Sequence, residues 1–242
     1  MGEKQGYNQR LFGGGIRKWL HEARFLWLRR VCHTMNLNSK SVLELGCFDA
    51  RTLRYFPAKP TRYYGFDANW EGGLDLARKT YGSEEQYQFV TATRPEQLEI
   101  AGEMVTLALS LETMEHIPPE LVDGYLQRIS GLLNGVFIVT VPNEKGMLFL
   151  AKYLVKKLVV GGADEYTFAE VMNATLGRME RVARAEHKGF DWEKLLTELK
   201  KYFDVEKVEG IQYPSAPLCC NAQIGFVLRS RKNSDGVSGV PI

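Results

Sequence analysis

The stretch SVLELGCFDA, residues 41–50, does most to limit what this chain can fold into. Val42, Leu43 and Leu45 form a short apolar run of the length of a buried strand. Gly46 follows, where the backbone turns tightly or lets another group approach closely. A second run at 63–66, YYGF, ends on Asp67. Two buried strands, one closing on a glycine turn and the next on a carboxylate, predict a βαβ unit with its strands side by side.

The rest of the chain continues that alternation. Helical spacing predicts helices over 16–35, 49–55, 72–81 and 191–202. The second is stopped by Pro57 and Pro60, and another helix is opened by Pro118, Pro119 and Glu120. Apolar runs predict strands at 88–90, 104–110, 135–141, 203–208 and 222–229. Strands alternating with helices give an open, mostly parallel, Rossmann-like α/β sheet with helices on both faces. Residues 144–187 are too long for a plain connection and carry two helical patterns, one in GMLFLAKYLVKKLVVGG, residues 146–162, and one running to Ala183. The expected division is a cap helix in 1–35, a core of 36–143 and 186–230, a helical insertion at 144–185, and a polar, glycine-rich disordered tail at 231–242.

Composition narrows the class. The 242 residues are 45% hydrophobic and 25% charged, enough for one full core with an elaboration. A formal net charge of +2 gives no reason to expect a nucleic-acid partner. The four cysteines form no CxxC pair, which fits a reducing cytosol better than a disulfide framework or a zinc site. The N-terminus is polar, and no apolar run reaches the roughly 18 to 20 residues of a bilayer span. The expectation is a cytoplasmic protein, soluble or at most peripheral to a membrane.

The glycines point to the ligand. A dinucleotide site needs GxGxxG so that backbone can press on a pyrophosphate. Here only Gly46 is present, with Phe48 and Ala50 at the following glycine positions. A ligand with a ribose but no phosphate asks less of this loop. The stretch resembles motif I of class I S-adenosylmethionine-dependent methyltransferases, written VLEIGCGxGxxL. It matches at Val42, Leu43, Glu44, Leu45, Gly46, Cys47 and Leu53 and departs at Phe48 and Ala50. SLETMEHI, residues 110–117, is similar to the end of strand four in the small-molecule members of that class. The resemblance implies a seven-stranded sheet whose last strand runs antiparallel. It implies S-adenosylmethionine as cofactor, leaving as S-adenosylhomocysteine, held by Glu44, Gly46, Cys47, Phe48, Asp67, Ala68, Thr91, Ala92, Thr93, Ser110 and Leu111. Asp67 would take the ribose hydroxyls, and threonines stand where the family commonly has an acidic residue for the adenine. Arg24, on an N-terminal helix that often lids the cofactor in the family, would meet the methionine carboxylate.

A hydroxyl acceptor needs its proton removed, whereas an amine need only be neutral. Histidine suits that base. Of His21, His33, His116 and His187, the candidates are His116, just after strand four, and His187, before the Lys188-Gly189 turn that resembles an acceptor-pocket feature of the family. For each, the simpler account is a capping or core histidine. Glu112, Glu115 and His116 cluster without a matching ligand set elsewhere, so no metal site is expected. Lys145, Lys152 and Lys156 are expected on one face of an amphipathic helix. That helix either packs on the core or a dimer partner, or docks on an anionic membrane or a lipid-linked substrate. Arg178, Arg181 and Arg184 suit an anionic acceptor or a solvated face. The activity expected is methyl transfer to a hydroxyl or amine of a small molecule such as a sugar, a quinone precursor, a natural product or a lipid-linked intermediate. The alternatives are a non-catalytic nucleoside-binding protein on the same fold and, with GxGxxG missing, a nicotinamide-dependent oxidoreductase.

Overall fold

The computed structural model describes residues 15–37, 41–102, 104–160, 166–185 and 188–231. Residues 1–14 of the expected cap segment and all but the first residue of the expected tail fall outside these residues. Seven strands, β1 Ser41–Leu45, β2 Arg62–Asp67, β3 Tyr87–Thr91, β4 Val105–Leu111, β5 Leu133–Pro142, β6 Phe203–Gly210 and β7 Gln223–Ser230, form one sheet. Their order is β3-β2-β1-β4-β5-β7-β6. The pairs among β1 to β5 are parallel, and β7 runs antiparallel to both β5 and β6. The order reverses at β1, so the crevice for a ligand opens at the carboxyl ends of β1 and β4.

Among the described residues six α-helices accompany the strands: α1 Gly15–Thr34, α2 Gly73–Tyr81, α3 Pro119–Leu132, α4 Gly146–Val160, α5 Phe168–Thr175 and α6 Trp192–Tyr202. Successive side chains of a strand point to opposite faces, and β1 divides accordingly. Leu43 and Leu45 join Leu126 and Ile129 of α3 and Leu195 and Leu199 of α6 in one core. Val42 joins Trp27 and Leu28 of α1 and Leu74 and Ala77 of α2 in the other. Near-continuous burial of β1, β4 and β5 is what a sheet covered on both faces demands. Helix α1 is fixed on its face by the Trp27 indole, which donates to Glu209 Oε1 of β6 at 2.7 Å, with Arg30 donating to the same oxygen at 3.1 Å.

Three local expectations need correction. The helix predicted over 49–55 is a single 3-10 turn, Arg51–Arg54. It starts behind Ala50 in left-handed conformation and runs into Pro57, leaving no room for a second turn. In the insertion, α5 stops at Thr175 before Gly177 at φ 74°, and Met179 and Val182 reach its small core from a separate 3-10 turn and the extended residues after it. The three lysines share no outward face. Lys145 precedes α4 and pairs with Asp191 at 2.9 Å, and Lys152 turns back to Glu144 at 2.9 Å.

Candidate active site

A cleft of about 330 Å³ lies at the carboxyl ends of β1, β2 and β4, covered by His21, Arg24 and Phe25 of α1. That volume is at the small end of ligand sites, which run from about 300 to 1,000 Å³. The loop after β1 forms its floor. Gly46 has φ 77°, and a Cβ there would lie 2.0 Å from Thr113 Oγ1, so a side chain is excluded by both backbone and space. The Gly46 and Cys47 amides both donate to Phe66 O, at 2.7 and 3.2 Å. Phe48 at φ 48° and Ala50 at φ 54° keep the left-handed backbone that glycine adopts freely. Each carries a strain of about 1 to 2 kcal/mol. Neither position carries a glycine, yet both adopt the conformation that glycine takes freely.

Asp67, at the end of β2, is held by that loop. Its Oδ2 accepts from the Phe48 amide at 2.9 Å and its Oδ1 from the Asn69 amide at 2.7 Å. A carboxylate accepts about four hydrogen bonds, so each oxygen keeps capacity for a ligand hydroxyl. Glu44 also borders the cleft but is committed inward, accepting from Thr52 Oγ1 at 2.7 Å and from the Tyr63 hydroxyl. Burial raises its carboxyl to about 7 against the lowering effect of these two bonds.

The polar groups beneath α1 are only partly matched. Arg24 Nη1 donates to His21 Nδ1 at 3.2 Å, and the guanidinium lies 4.9 Å from the Phe25 ring centroid. Its Nε is buried without a partner. Burial lowers the Arg24 pKa, while the charges of Glu112 and Glu115 oppose the shift. Glu112 sits at φ 55° with Oε1 buried and unpartnered. Glu115 is 1% exposed, and neither of its carboxyl oxygens has a partner. Burial first, then the charge of Glu112, pushes the Glu115 carboxyl up. Buried polar atoms without partners are costly, and here they converge on one cavity. From the insertion, the Arg184 guanidinium donates to the Glu115 carbonyl and lies 5.0 Å from the Phe190 ring centroid.

Of the residues the sequence put forward, Arg24, Glu44, Gly46, Cys47, Phe48, Asp67, Ala68, Ala92, Thr93, Leu111 and His116 all border the cleft. His116 is exposed, in the Met114–His116 turn. Thr91 and Ser110 are not among the lining residues. Thr91 Oγ1 accepts from Arg78 at 3.1 Å on the surface, and Ser110 is fully buried within β4. His187 lies outside the described residues. Sequence reasoning underrated Glu112 and Glu115. Their spacing of three just beyond β4 was the available signal, but only burial distinguishes them from a solvated pair. It also did not single out Trp70, Glu71 or Tyr125, which complete the wall.

No family model matches the sequence, and no curated protein matches it. Solved structures do resemble the fold. A S-adenosylmethionine-dependent methyltransferase from Clostridium acetobutylicum matches at TM-score 0.61 and 14% identity, over 93% of this chain and 98% of that one. Magnesium protoporphyrin IX methyltransferase from Synechocystis, with bound S-adenosylhomocysteine, matches at 0.57 and 17%, over 92% of each chain. The N-methyltransferase NodS from Bradyrhizobium japonicum, in complex with S-adenosylhomocysteine, matches at 0.55 and 13%, over 93% and 96%. With the strand order and the antiparallel β7, these matches identify the fold as that of the class I S-adenosylmethionine-dependent methyltransferases.

Proposed function

We propose that the protein transfers a methyl group from S-adenosylmethionine to a hydroxyl or amine of a small-molecule acceptor. The observation that carries this reading is Asp67. It is fixed through both oxygens at the end of β2, borders the cleft, and has capacity left for a pair of ribose hydroxyls. The unpartnered atoms fit the other end of such a cofactor. Arg24 Nε is a buried donor suited to the methionine carboxylate, and Glu112 Oε1 is a buried acceptor suited to its ammonium. Ala92 and Thr93 border the side where the base would lie. Two of the structural neighbours hold S-adenosylhomocysteine, which supports the same choice.

When bound, the cofactor supplies a methyl group already activated by the sulfonium charge. The chain's own task is to hold the acceptor in line, exclude water and manage one proton. Helix α1 roofs the cleft, and His116, which borders it, is proposed as the base that takes a proton from an acceptor hydroxyl. His187 is proposed as the second base candidate, and the insertion as the part that selects the acceptor.

Calorimetric titration with S-adenosylhomocysteine and with NAD tests the cofactor. Binding of NAD alone would refute the methyltransferase reading. Cofactor binding without turnover across a panel of hydroxyl and amine acceptors would favour the non-catalytic alternative. His116→Ala and His187→Ala are each expected to lower kcat by about 100-fold, a typical general-base contribution, with cofactor affinity unchanged. Unchanged turnover in both removes histidine from the mechanism.

A further inference from the structure

We propose that Glu115 receives the acceptor and selects an amine, a cation in solution, over a hydroxyl compound; this rests on the methyltransferase reading. Glu115 is 1% exposed yet borders the cleft. Among the described residues, no other residue gives either of its carboxyl oxygens a hydrogen bond. Its backbone is pinned. Glu115 stands in the Met114–His116 turn, between buried Met114 and buried Ile117. The His116 amide closes that turn on Thr113 O at 2.9 Å. Arg184 of the insertion donates to the Glu115 carbonyl and holds the turn from its own side.

Donor and acceptor matching indicates what fits there. Arg24 Nε, Glu112 Oε1 and both oxygens of Glu115 are buried side-chain atoms of the cleft that lack partners among the described residues. The amino-acid end of the cofactor offers a carboxylate and an ammonium, which suit Arg24 and Glu112. The two oxygens of Glu115 remain, so the second ligand must bring donors. A hydroxyl brings one, whereas an ammonium brings three together with a positive charge. Charge leads the same way. Burial and the neighbouring charge of Glu112 raise the Glu115 carboxyl, and a cation beside it offsets both. Arg24 and Arg184 oppose that rise, but neither donates to a Glu115 carboxyl oxygen, and Arg184 is committed to the carbonyl. A buried carboxylate alone is costly, and a charged partner that also donates hydrogen bonds offsets much of the cost. Ile117, Pro118 and Leu121 border the same cleft and give the carbon skeleton of the amine an apolar wall. Removal of the ammonium proton before transfer stays with the histidine candidates.

The test is calorimetric binding of matched pairs to the full chain saturated with S-adenosylhomocysteine: phenethylamine against phenethyl alcohol, and tryptamine against tryptophol. Each amine is expected to bind at least about tenfold more tightly than its alcohol, the scale of a hydrogen bond to a charged group. Glu115→Gln keeps the shape and removes the charge. It is expected to weaken the amines at least about tenfold and leave the alcohols and S-adenosylhomocysteine unchanged, so that the preference disappears. Should glutamine unfold the protein, judged by circular dichroism, Glu115→Asp carries the test. It withdraws the charge by one methylene and is expected to weaken the amines more than the alcohols, and amine affinity equal to the wild type would overturn the proposal. The proposal is also overturned if no amine binds the wild type, if the alcohols bind as tightly, or if Glu115→Gln keeps the preference. A tenfold loss of S-adenosylhomocysteine affinity in Glu115→Gln would assign Glu115 to the cofactor ammonium instead. Titration of the wild type with S-adenosylhomocysteine alone comes first. Failure there refutes the methyltransferase reading and this assignment with it, whereas cofactor binding without an amine preference refutes the assignment alone.

Discussion

Glu44→Gln should reveal a buried charge that costs stability at neutral pH. Glu44 is 2% exposed on β1, and its two oxygens accept from Thr52 and Tyr63. Desolvation outweighs both bonds and lifts its carboxyl from an ordinary 4.5 to about 7 in the folded protein. The folded state therefore holds this proton more tightly than the unfolded state. The stability this confers is fully present below about 4.5 and is lost as pH rises through about 7. At 1.36 kcal/mol per pH unit, the loss amounts to about 3 kcal/mol. Glutamine keeps the shape and never ionises, so it avoids that loss. Urea unfolding of both proteins across the range from acid to about pH 8 isolates the effect, because other groups cancel in the difference. The difference should move in favour of the variant by about 3 kcal/mol over that range. A difference constant with pH would refute the argument. A shift the other way would mean that the Thr52 and Tyr63 bonds outweigh burial and that Glu44 works as a stabilised anion.

Two further outcomes follow from the site. Arg24→Met keeps the apolar stem under α1 but removes the buried donor, and should weaken S-adenosylhomocysteine by at least about tenfold in calorimetry, the scale of one charge-assisted bond. Equal affinity would place the methionine carboxylate elsewhere. Ala50→Gly relieves left-handed strain of about 1 to 2 kcal/mol but loses a buried methyl and adds unfolded-state freedom, each about 1 kcal/mol, so its unfolding midpoint should barely move. A loss well above 1 kcal/mol would mean that Ala50 is unstrained and that its methyl packing dominates.

The sheet was legible in the sequence because its strands are short apolar runs bounded by Gly, Pro and Asp. β1 was read over the residues it occupies, and β2 grew by one residue at each end. Asp67 was legible for the same reason, since a carboxylate closing a buried strand must face the crevice. The 49–55 segment misled because helical spacing says nothing of the φ at Ala50. Only the folded backbone shows a one-turn element entered through a left-handed residue. The α4 lysines misled because spacing along a helix cannot reveal that Lys145 precedes it or that Lys152 has Glu144 within reach. Glu112 and Glu115 were underrated because carboxylates in sequence read as solvated, and their isolation depends on the roof that α1 provides from far along the chain.

The place of β7 has a consequence for how the protein comes into being. β6 touches the sheet only through β7, and Glu209 of β6 is the anchor for Trp27 and Arg30 of α1. During synthesis α1 emerges early but has no clasp until both β6 and β7 have left the ribosome. Until then β5 also presents an open edge, a hazard for pairing with other chains. Such long-range closure favours slow folding. The cleft gains its roof in the last step of assembly, so a truncated product lacking β7 would retain Gly46 and Asp67 but not the fixed position of Arg24.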